Sequence, residues 1–214
     1  MQRATHPWVV GFSVALAGLA PAVMYNRDTG SPKSVELANL PPFTSRANIP
    51  GCTAVLIAPN VLLSAAHCLN YAASGTVTAY WNGQTRSGSV FTNIGADHIV
   101  IVTGTPFDNT LGKMTAPYSG TAENAKLAWK VASGGNGILG VGGASGYSSD
   151  GIFRAMTTRI EVNNVASPPT VVGTDYLYYD FDGPPSLPTA NRATSWYEGG
   201  TAPGDSGGPL YMYE

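Results

Sequence analysis

The stretch Gly204-Asp205-Ser206-Gly207-Gly208-Pro209, close to the C-terminal end of the 214-residue chain, decides how the sequence is interpreted. Its glycines allow the backbone N–H groups of Gly204 and Ser206 to point at one spot, where they would stabilise a developing oxyanion. A serine hydroxyl is a poor nucleophile until a neighbouring base removes its proton. The stretch therefore predicts a nucleophilic Ser206, and it requires a histidine elsewhere in the chain.

The histidine that best meets this requirement is His67, one of three in the sequence. It lies in Ser64-Ala65-Ala66-His67-Cys68, directly after a short apolar run that is typical of a β-strand. His6 belongs to an N-terminal segment that we expect to be removed, and we interpret His98 as a structural neighbour. His67 is therefore the predicted general base.

These two motifs resemble those of the chymotrypsin-like serine peptidases, which usually have threonine where this chain has Ser64. They occur in the family's order, and Ser206 follows His67 by 139 positions, close to the family's roughly 140. The resemblance covers about residues 50–214. It implies a serine endopeptidase that acts on polypeptides through an acyl-serine intermediate and needs no cofactor.

Within this resemblance, Asp97 is the expected carboxylate that holds the histidine ring in the correct tautomer. It precedes the apolar run 99–102, as the family's aspartate precedes an apolar strand, with His98 standing where an apolar residue is usual. Asp108 is the alternative, although no strand pattern follows it.

The resemblance assigns further roles outside this triad. It implies a disulfide between Cys52 and Cys68, 16 positions apart, in agreement with an even cysteine count in an exported protein. Asp205 is expected to pair with the α-amino group of the mature N-terminus, which signal peptidase would create at Val23. Gly200, six positions before the nucleophile, is expected in the substrate pocket, where it favours apolar or small side chains.

The rest of the sequence predicts an all-β fold of two antiparallel β-barrels of the chymotrypsin type, the second incomplete. Gly 26 and Pro 16 with only 11% charged residues are typical of a turn-rich β protein. Short β-prone runs recur at 55–58, 61–64, 76–81, 99–102, 153–162, 171–181 and 210–213. Pro59-Asn60 and Asn82-Gly83 predict tight turns, and the continuously apolar run 99–102 predicts a strand buried on both faces.

Three segments follow from these patterns: a signal peptide over residues 1–22, an N-terminal barrel over 23–115 and a C-terminal barrel over 116–214. Residues 23–50 have an irregular, proline-containing pattern, and 121–129 fits either a short helix or a strand. Family members continue for roughly 40 to 50 residues after the serine motif, whereas here eight residues follow Ser206. We therefore expect an incomplete second barrel and poor activity of the isolated chain.

The N-terminal segment predicts export. Arg3 precedes the nearly uncharged run 8–19, and Ala20-Pro21-Ala22 supplies the small residues that signal peptidase accepts. The run is shorter than the roughly 20 residues that span a bilayer. A membrane anchor is the alternative, because the cleavage site matches the pattern only moderately well. We expect a protein that is secreted, extracellular or periplasmic, with no membrane association after cleavage.

Composition narrows the partners. A net charge of −2 offers no electrostatic footprint for nucleic acid or an anionic membrane. No metal is expected, although Asp175, Asp180 and Asp182 leave open a calcium loop or, less readily, a carboxylate pair for sugar hydrolysis. The oligomeric state stays open.

Two other classes of protein compete with the peptidase. A non-catalytic protease homologue acting as a secreted binding protein would share the fold and motifs. A secreted β-sandwich binding domain would require two correctly spaced motifs to coincide by chance.

Overall fold

The computed structural model describes residues 8–12, 24–26, 31–70, 74–92, 97–108, 127–132, 136–140, 143–148, 152–159, 199–200 and 205–213. Its strands are β1 (Trp8–Phe12), β2 (Met24–Asn26), β3 (Arg46–Ile49), β4 (Cys52–Ala58), β5 (Val61–Ala65), β6 (Ser74–Trp81), β7 (Gln84–Thr92), β8 (His98–Thr103), β9 (Leu127–Ala132), β10 (Asn136–Gly140), β11 (Gly143–Ser148), β12 (Arg154–Arg159), β13 (Gly199–Gly200) and β14 (Pro209–Tyr213). One α-helix, α1 (Ser31–Ala38), and two 3-10 helices, Phe43–Ser45 and Ala66–Leu69, complete the elements described.

Six strands close an antiparallel barrel in the order β3-β4-β5-β8-β7-β6, with Asn48 of β3 opposite Tyr80 of β6 at the closure. β4 and β5 form the predicted hairpin across Pro59-Asn60. β6 and β7 meet at Asn82-Gly83, whose φ angles of 44° and 76° suit a turn that follows the right-handed twist of the strands. The all-β prediction, with a closed first barrel, is confirmed.

The barrel interior corrects one prediction about β8. Ile99 and Ile101 are fully buried, whereas His98, Val100 and Val102 are partly exposed. The run is therefore not buried on both faces. In a closed barrel successive side chains alternate between the interior and the outside. Because the outward residues of β8 are also mostly apolar, the sequence does not show this alternation.

The remaining strands form two four-stranded sheets in the described part of the chain. One has the order β1-β14-β9-β12 and the other β11-β10-β2-β13. The predicted strands near 153–162 and 210–213 are present as β12 and β14. Of the segment 121–129, for which a helix and a strand were both expected, residues 127–129 belong to strand β9, and residues 121–126 lie outside the described residues. The predicted run 171–181 lies outside the described residues.

Residues 23–50 were wrongly predicted to be irregular, because they contain α1, β2 and β3. Proline is tolerated in the first turn of a helix, which is where Pro32 lies, so its presence there did not exclude a helix. Leu37 and Ala38 then pack against the sheet that contains β9, β12 and β14.

β1 lies within the predicted signal peptide and pairs with β14, from Trp8 opposite Tyr213 to Phe12 opposite Pro209. β2 pairs with β10 and β13. The predicted signal cleavage and domain boundaries stay predictions. No helix among the described residues is long and apolar enough to cross a membrane.

A buried cluster joins the barrel to the β14 sheet. The Ser45 and Tyr211 hydroxyls are hydrogen-bonded at 2.7 Å, and the Phe43 ring lies 5.1 Å from the Tyr211 ring and 5.6 Å from the Trp129 ring. Burial raises the pKa of Tyr211, a shift that the Ser45 hydrogen bond partly opposes. The cluster fixes the strand that begins three residues after Ser206.

Arg46 lies beside this cluster with its guanidinium over the Phe153 ring, 4.6 Å from the ring centroid. It donates hydrogen bonds to the Phe43 carbonyl at 3.2 Å and to Asn39 Oδ1 at 2.7 Å. Burial lowers the pKa of Arg46, because the charged form loses water contact. These contacts tie the end of α1 to the first barrel strand.

Candidate active site

The register of two barrel strands brings His67 and Asp97 together. β5 and β8 are antiparallel with Ala65 opposite His98, so Ala66 and Asp97 are the next residues beyond the paired ends. The Ala66 N–H donates to the Asp97 carbonyl at 3.1 Å, which extends the ladder by one bond. His67 follows in the 3-10 helix Ala66–Leu69, and its side chain therefore starts beside Asp97.

The Asp97 carboxylate binds His67 through both of its oxygens. Oδ1 accepts the His67 backbone N–H at 2.8 Å, and Oδ2 lies 2.6 Å from Nδ1 of the ring. The Asp97 side chain is 9% exposed and that of His67 is 25% exposed. A carboxylate held this way favours the proton on Nδ1, which leaves the lone pair of Nε2 available to act as a base.

The serine turn rests against the same barrel through backbone hydrogen bonds. The Thr53 N–H of β4 donates to the Ser206 carbonyl at 3.0 Å, and the Gly208 N–H donates to the Asp205 carbonyl at 2.9 Å. The Ser64 hydroxyl, fully buried, donates to the Thr53 carbonyl at 2.7 Å. The turn that carries Ser206 is thus fixed to β4, and β4 is fixed to β5 just before His67.

Gly207 is the residue that allows this close approach. Its φ of +76° lies in the left-handed region, which L side chains rarely adopt. A Cβ there would collide with the Ser64 hydroxyl, and it would lie 2.5 Å from the Thr53 carbonyl oxygen and 2.7 Å from the Ala65 nitrogen. Only glycine fits between the serine turn and the barrel.

The predicted disulfide between Cys52 and Cys68 is present. It connects the first residue of β4 to the 3-10 helix that contains His67. Cys68 Sγ also lies 3.9 Å from the Ser206 carbonyl oxygen. A sulfur in a disulfide carries no hydrogen, so this approach is packing rather than a hydrogen bond. The disulfide therefore lies against both the histidine segment and the serine turn.

Two further expectations concern the hydrogen bond between Ser206 and His67 and the oxyanion donor Gly204. Among the residues that the structure describes, no hydrogen bond joins the Ser206 hydroxyl to the His67 ring. Catalytic hydrogen bonds of this kind often tighten only in the complex with substrate. Gly204, the second expected oxyanion donor, lies outside the described residues.

The other predicted positions are placed as follows. Asp108 is exposed, and its backbone N–H donates to Gln84 Oε1 at 2.8 Å, away from the His67 pair. His98 is half-buried in β8. Gly200 belongs to β13 and pairs with Met24. Asp205 is 2% exposed, and Val23, its predicted partner at the N-terminus, lies outside the described residues, as do Asp175, Asp180 and Asp182.

Several residues that hold the site in place were not predicted from the sequence. Ser64 and Gly207 lie inside the two quoted motifs, so their proximity to the predicted catalytic residues was the available signal. Thr53 follows Cys52 directly, but nothing in its type indicated a bond to the serine turn. The Ser45–Tyr211 bond joins positions 166 residues apart, and no local pattern announces such a contact.

A comparison with models of known protein families assigns the chain to a family. The family model described as Trypsin matches residues 34–213, and the chain therefore belongs to the trypsin family, a family of serine peptidases. Two similar solved structures are of the protease Rv3671c in its inactive form, one of them a serine-to-alanine mutant from M. tuberculosis H37Rv. Their sequences are 17% and 16% identical to this chain, and their TM-scores are 0.47 and 0.46. Each alignment covers 89% of this chain, and it covers 81% of the first solved chain and 78% of the second. The comparison with curated proteins finds no match.

Proposed function

We propose that this chain is a secreted serine endopeptidase in which His67, Asp97 and Ser206 form the catalytic triad. The observation that carries the proposal is the double contact of Asp97 with His67, at 2.8 Å to the backbone nitrogen and 2.6 Å to Nδ1. A surface histidine with a purely structural role would not need a nearly buried carboxylate that binds both its backbone N–H and its ring. Membership of the trypsin family agrees with this assignment.

The proposed reaction follows from the roles of these groups. Nε2 of His67 takes the Ser206 proton as Oγ attacks the peptide carbonyl, and Asp97 stabilises the imidazolium that forms. The backbone N–H groups of Gly204 and Ser206 are the proposed donors to the oxyanion of the tetrahedral intermediate. His67 then returns the proton to the leaving amine. In the second half of the reaction His67 takes a proton from the water that attacks the acyl-serine, and it returns this proton to Ser206 Oγ as the acid product leaves.

Three further assignments accompany the triad in this proposal. Gly200 leaves the substrate pocket without a carboxylate, so peptides with apolar or small side chains are the expected substrates. Asp205, buried beside the nucleophile, is the proposed partner of the α-amino group of a mature N-terminus at Val23. The Cys52–Cys68 disulfide supports export, because disulfides persist in oxidising compartments.

A non-catalytic homologue that binds proteins is the second candidate. The observation that favours it is the lack of a hydrogen bond between the Ser206 hydroxyl and the His67 ring among the described residues. Such a protein would keep the barrel and the disulfide but would not activate its serine.

Covalent labelling with a fluorophosphonate separates the two candidates, because only an activated serine reacts quickly. We expect labelling that mass spectrometry maps to Ser206 and that disappears in Ser206→Ala and His67→Ala. His98→Asn is the matched control, because it removes a neighbouring histidine outside the proposed triad, and it should label normally. A folded protein that never labels would favour the binding homologue.

A further inference from the structure

Three side chains that bind transition metals lie together at the junction of the barrel and the serine turn. One ligand atom each from Cys52, His67 and Cys68 lies within 4.8 Å of the other two. The two sulfurs are joined in the disulfide, which removes the thiolates that a metal needs. We propose that opening this disulfide with a dithiol creates a binding site for a thiophilic divalent cation such as Zn²⁺, with His67 as the third ligand.

The distances suit this coordination. Zinc binds sulfur at about 2.3 Å and imidazole nitrogen at about 2.0–2.1 Å, so two ligands of a tetrahedral ion lie roughly 3.5–3.8 Å apart. The two sulfurs and one of the two ring nitrogens of His67 lie within 4.8 Å of one another. Small side-chain rotations would bring Nε2 and the sulfurs to the distances of a tetrahedral ion once the sulfurs are free to separate. Three protein ligands would leave the fourth position to water.

Asp97 already provides the outer partner that a metal-binding histidine uses. Its Oδ2 lies 2.6 Å from Nδ1 of His67, which leaves Nε2 as the nitrogen with a lone pair. Zinc-ligating histidines usually donate their other ring N–H to a carboxylate in this way, which fixes the tautomer and makes the ligand more basic. Asp97 itself is fixed by the His67 backbone N–H at 2.8 Å.

The framework around the two cysteines does not depend on the disulfide alone. Cys52 is paired with Ile49 in the β3–β4 ladder, and its neighbour Thr53 is fully buried and hydrogen-bonded to the Ser206 carbonyl. On the other side, the register of β5 with β8 fixes the chain just before His67 and Cys68. The free thiols would therefore remain close together in the folded chain.

The chemistry balances in two steps. The dithiol gives two electrons and two protons to the disulfide, so Cys52 and Cys68 become thiols and the reagent becomes a cyclic disulfide. The cation then displaces the two thiol protons into solvent, while neutral His67 contributes its lone pair without a proton change. The proposal goes beyond peptide hydrolysis, and metal binding can be measured even if the chain proves to be inactive.

The metal would also inhibit the proposed peptidase. It would occupy the Nε2 lone pair of His67 that is needed to take the Ser206 proton. Reducing agent together with Zn²⁺ should therefore suppress activity more than either alone, and a chelator followed by reoxidation should restore it.

Cobalt provides the direct test because thiolate-to-Co²⁺ absorption reports the ligands. The full chain is reduced with a dithiol, the reagent is removed without oxygen, and Co²⁺ is titrated with Zn²⁺ as the competitor. We expect one ion per chain in the reduced protein and no thiolate absorption in the oxidised protein. Retention of the folded circular-dichroism spectrum on reduction is followed in parallel.

Variants distinguish the proposed site from simple chelation by two thiols. Asp97→Asn should weaken metal binding by about 10–100-fold, because an amide at this position favours the tautomer with the proton on Nε2. His67→Asn should weaken it at least as much, whereas His98→Asn, the matched control, should bind as the parent does. No metal in the reduced chain, or an affinity that ignores His67 and Asp97, whether from a folded or an unfolded chain, would overturn the proposal.

Discussion

Gly207→Ala tests whether the serine turn must lie directly against the barrel. The residue has a φ of +76°, where an L side chain costs roughly 1–2 kcal/mol. The new Cβ would also collide with the Ser64 hydroxyl and lie 2.5 Å from the Thr53 carbonyl oxygen. Overpacking of this kind costs typically about 1–3 kcal/mol. The two effects together predict a loss of about 2–5 kcal/mol in the free energy of unfolding.

Gly83→Ala is the matched control for this loss. Gly83 has the same φ of +76°, but nothing lies within 4 Å of a Cβ built there. The control therefore carries the backbone cost of roughly 1–2 kcal/mol without the collision. Adding Ser64→Ala to Gly207→Ala should restore only part of the loss, because the backbone atoms of Thr53 and Ala65 remain in place.

Urea unfolding followed by tryptophan fluorescence measures these differences as shifts of the midpoint at constant slope. In thermal unfolding, a loss of about 2–5 kcal/mol in a chain of this size corresponds to roughly 4–20 °C in Tm. Gly207→Ala should also lower the rate of fluorophosphonate labelling, since Ser206 precedes it directly. If Gly207→Ala were no less stable than Gly83→Ala, the close docking of the turn on β4 and β5 would be refuted.

Three further predictions concern the contacts around the site. Replacing both cysteines, Cys52→Ser with Cys68→Ser, should lower the free energy of unfolding by about 3 kcal/mol, as expected for a loop closed over 16 positions, and an unchanged urea midpoint would contradict this. Ser45→Ala should cost about 1–3 kcal/mol because it leaves the buried Tyr211 hydroxyl unpaired, and adding Tyr211→Phe should recover part of that loss in the same urea assay. Burial raises the pKa of Tyr211 above its ordinary 10.0, so its contribution to stability is complete below pH 10 and is lost as the pH rises further. Tyr211→Phe should therefore lose less stability than the parent above pH 10. Parallel plots of unfolding free energy against pH for the two proteins would contradict the raised pKa.

Local sequence signals predicted the first barrel well because its turns and strands are marked by particular residues. Pro59-Asn60 and Asn82-Gly83 stand between β-prone runs, and both positions are turns in the structure. The histidine motif was found because Cys68 and the preceding apolar strand accompany His67. Asp97 was predicted to lie near it only through the family resemblance, and the register of β5 with β8 supplies the physical reason.

Other features depend on contacts between distant segments and so left no local trace. The helix α1 was missed because its short apolar face, at Leu37 and Ala38, is buried by β-strands from the far end of the chain. The Ser45–Tyr211 bond likewise joins residues that no short pattern connects. The alternation in β8 was hidden because its outward residues are also mostly apolar, so periodicity could not separate the two faces.

Two aspartate variants test whether Asp97 orients His67 for catalysis, as the proposed triad requires. Asp97→Asn keeps the shape of the side chain but favours the wrong tautomer, a change that lowers kcat about 10⁴-fold in the family's mechanism. Asp108→Asn is the matched control, because Asp108 is exposed and contacts Gln84 through its backbone. With an apolar peptide substrate, we predict a loss of about 10⁴-fold in kcat for Asp97→Asn and none for Asp108→Asn. Equal kcat values for the parent and Asp97→Asn would show that Asp97 does not orient the catalytic histidine.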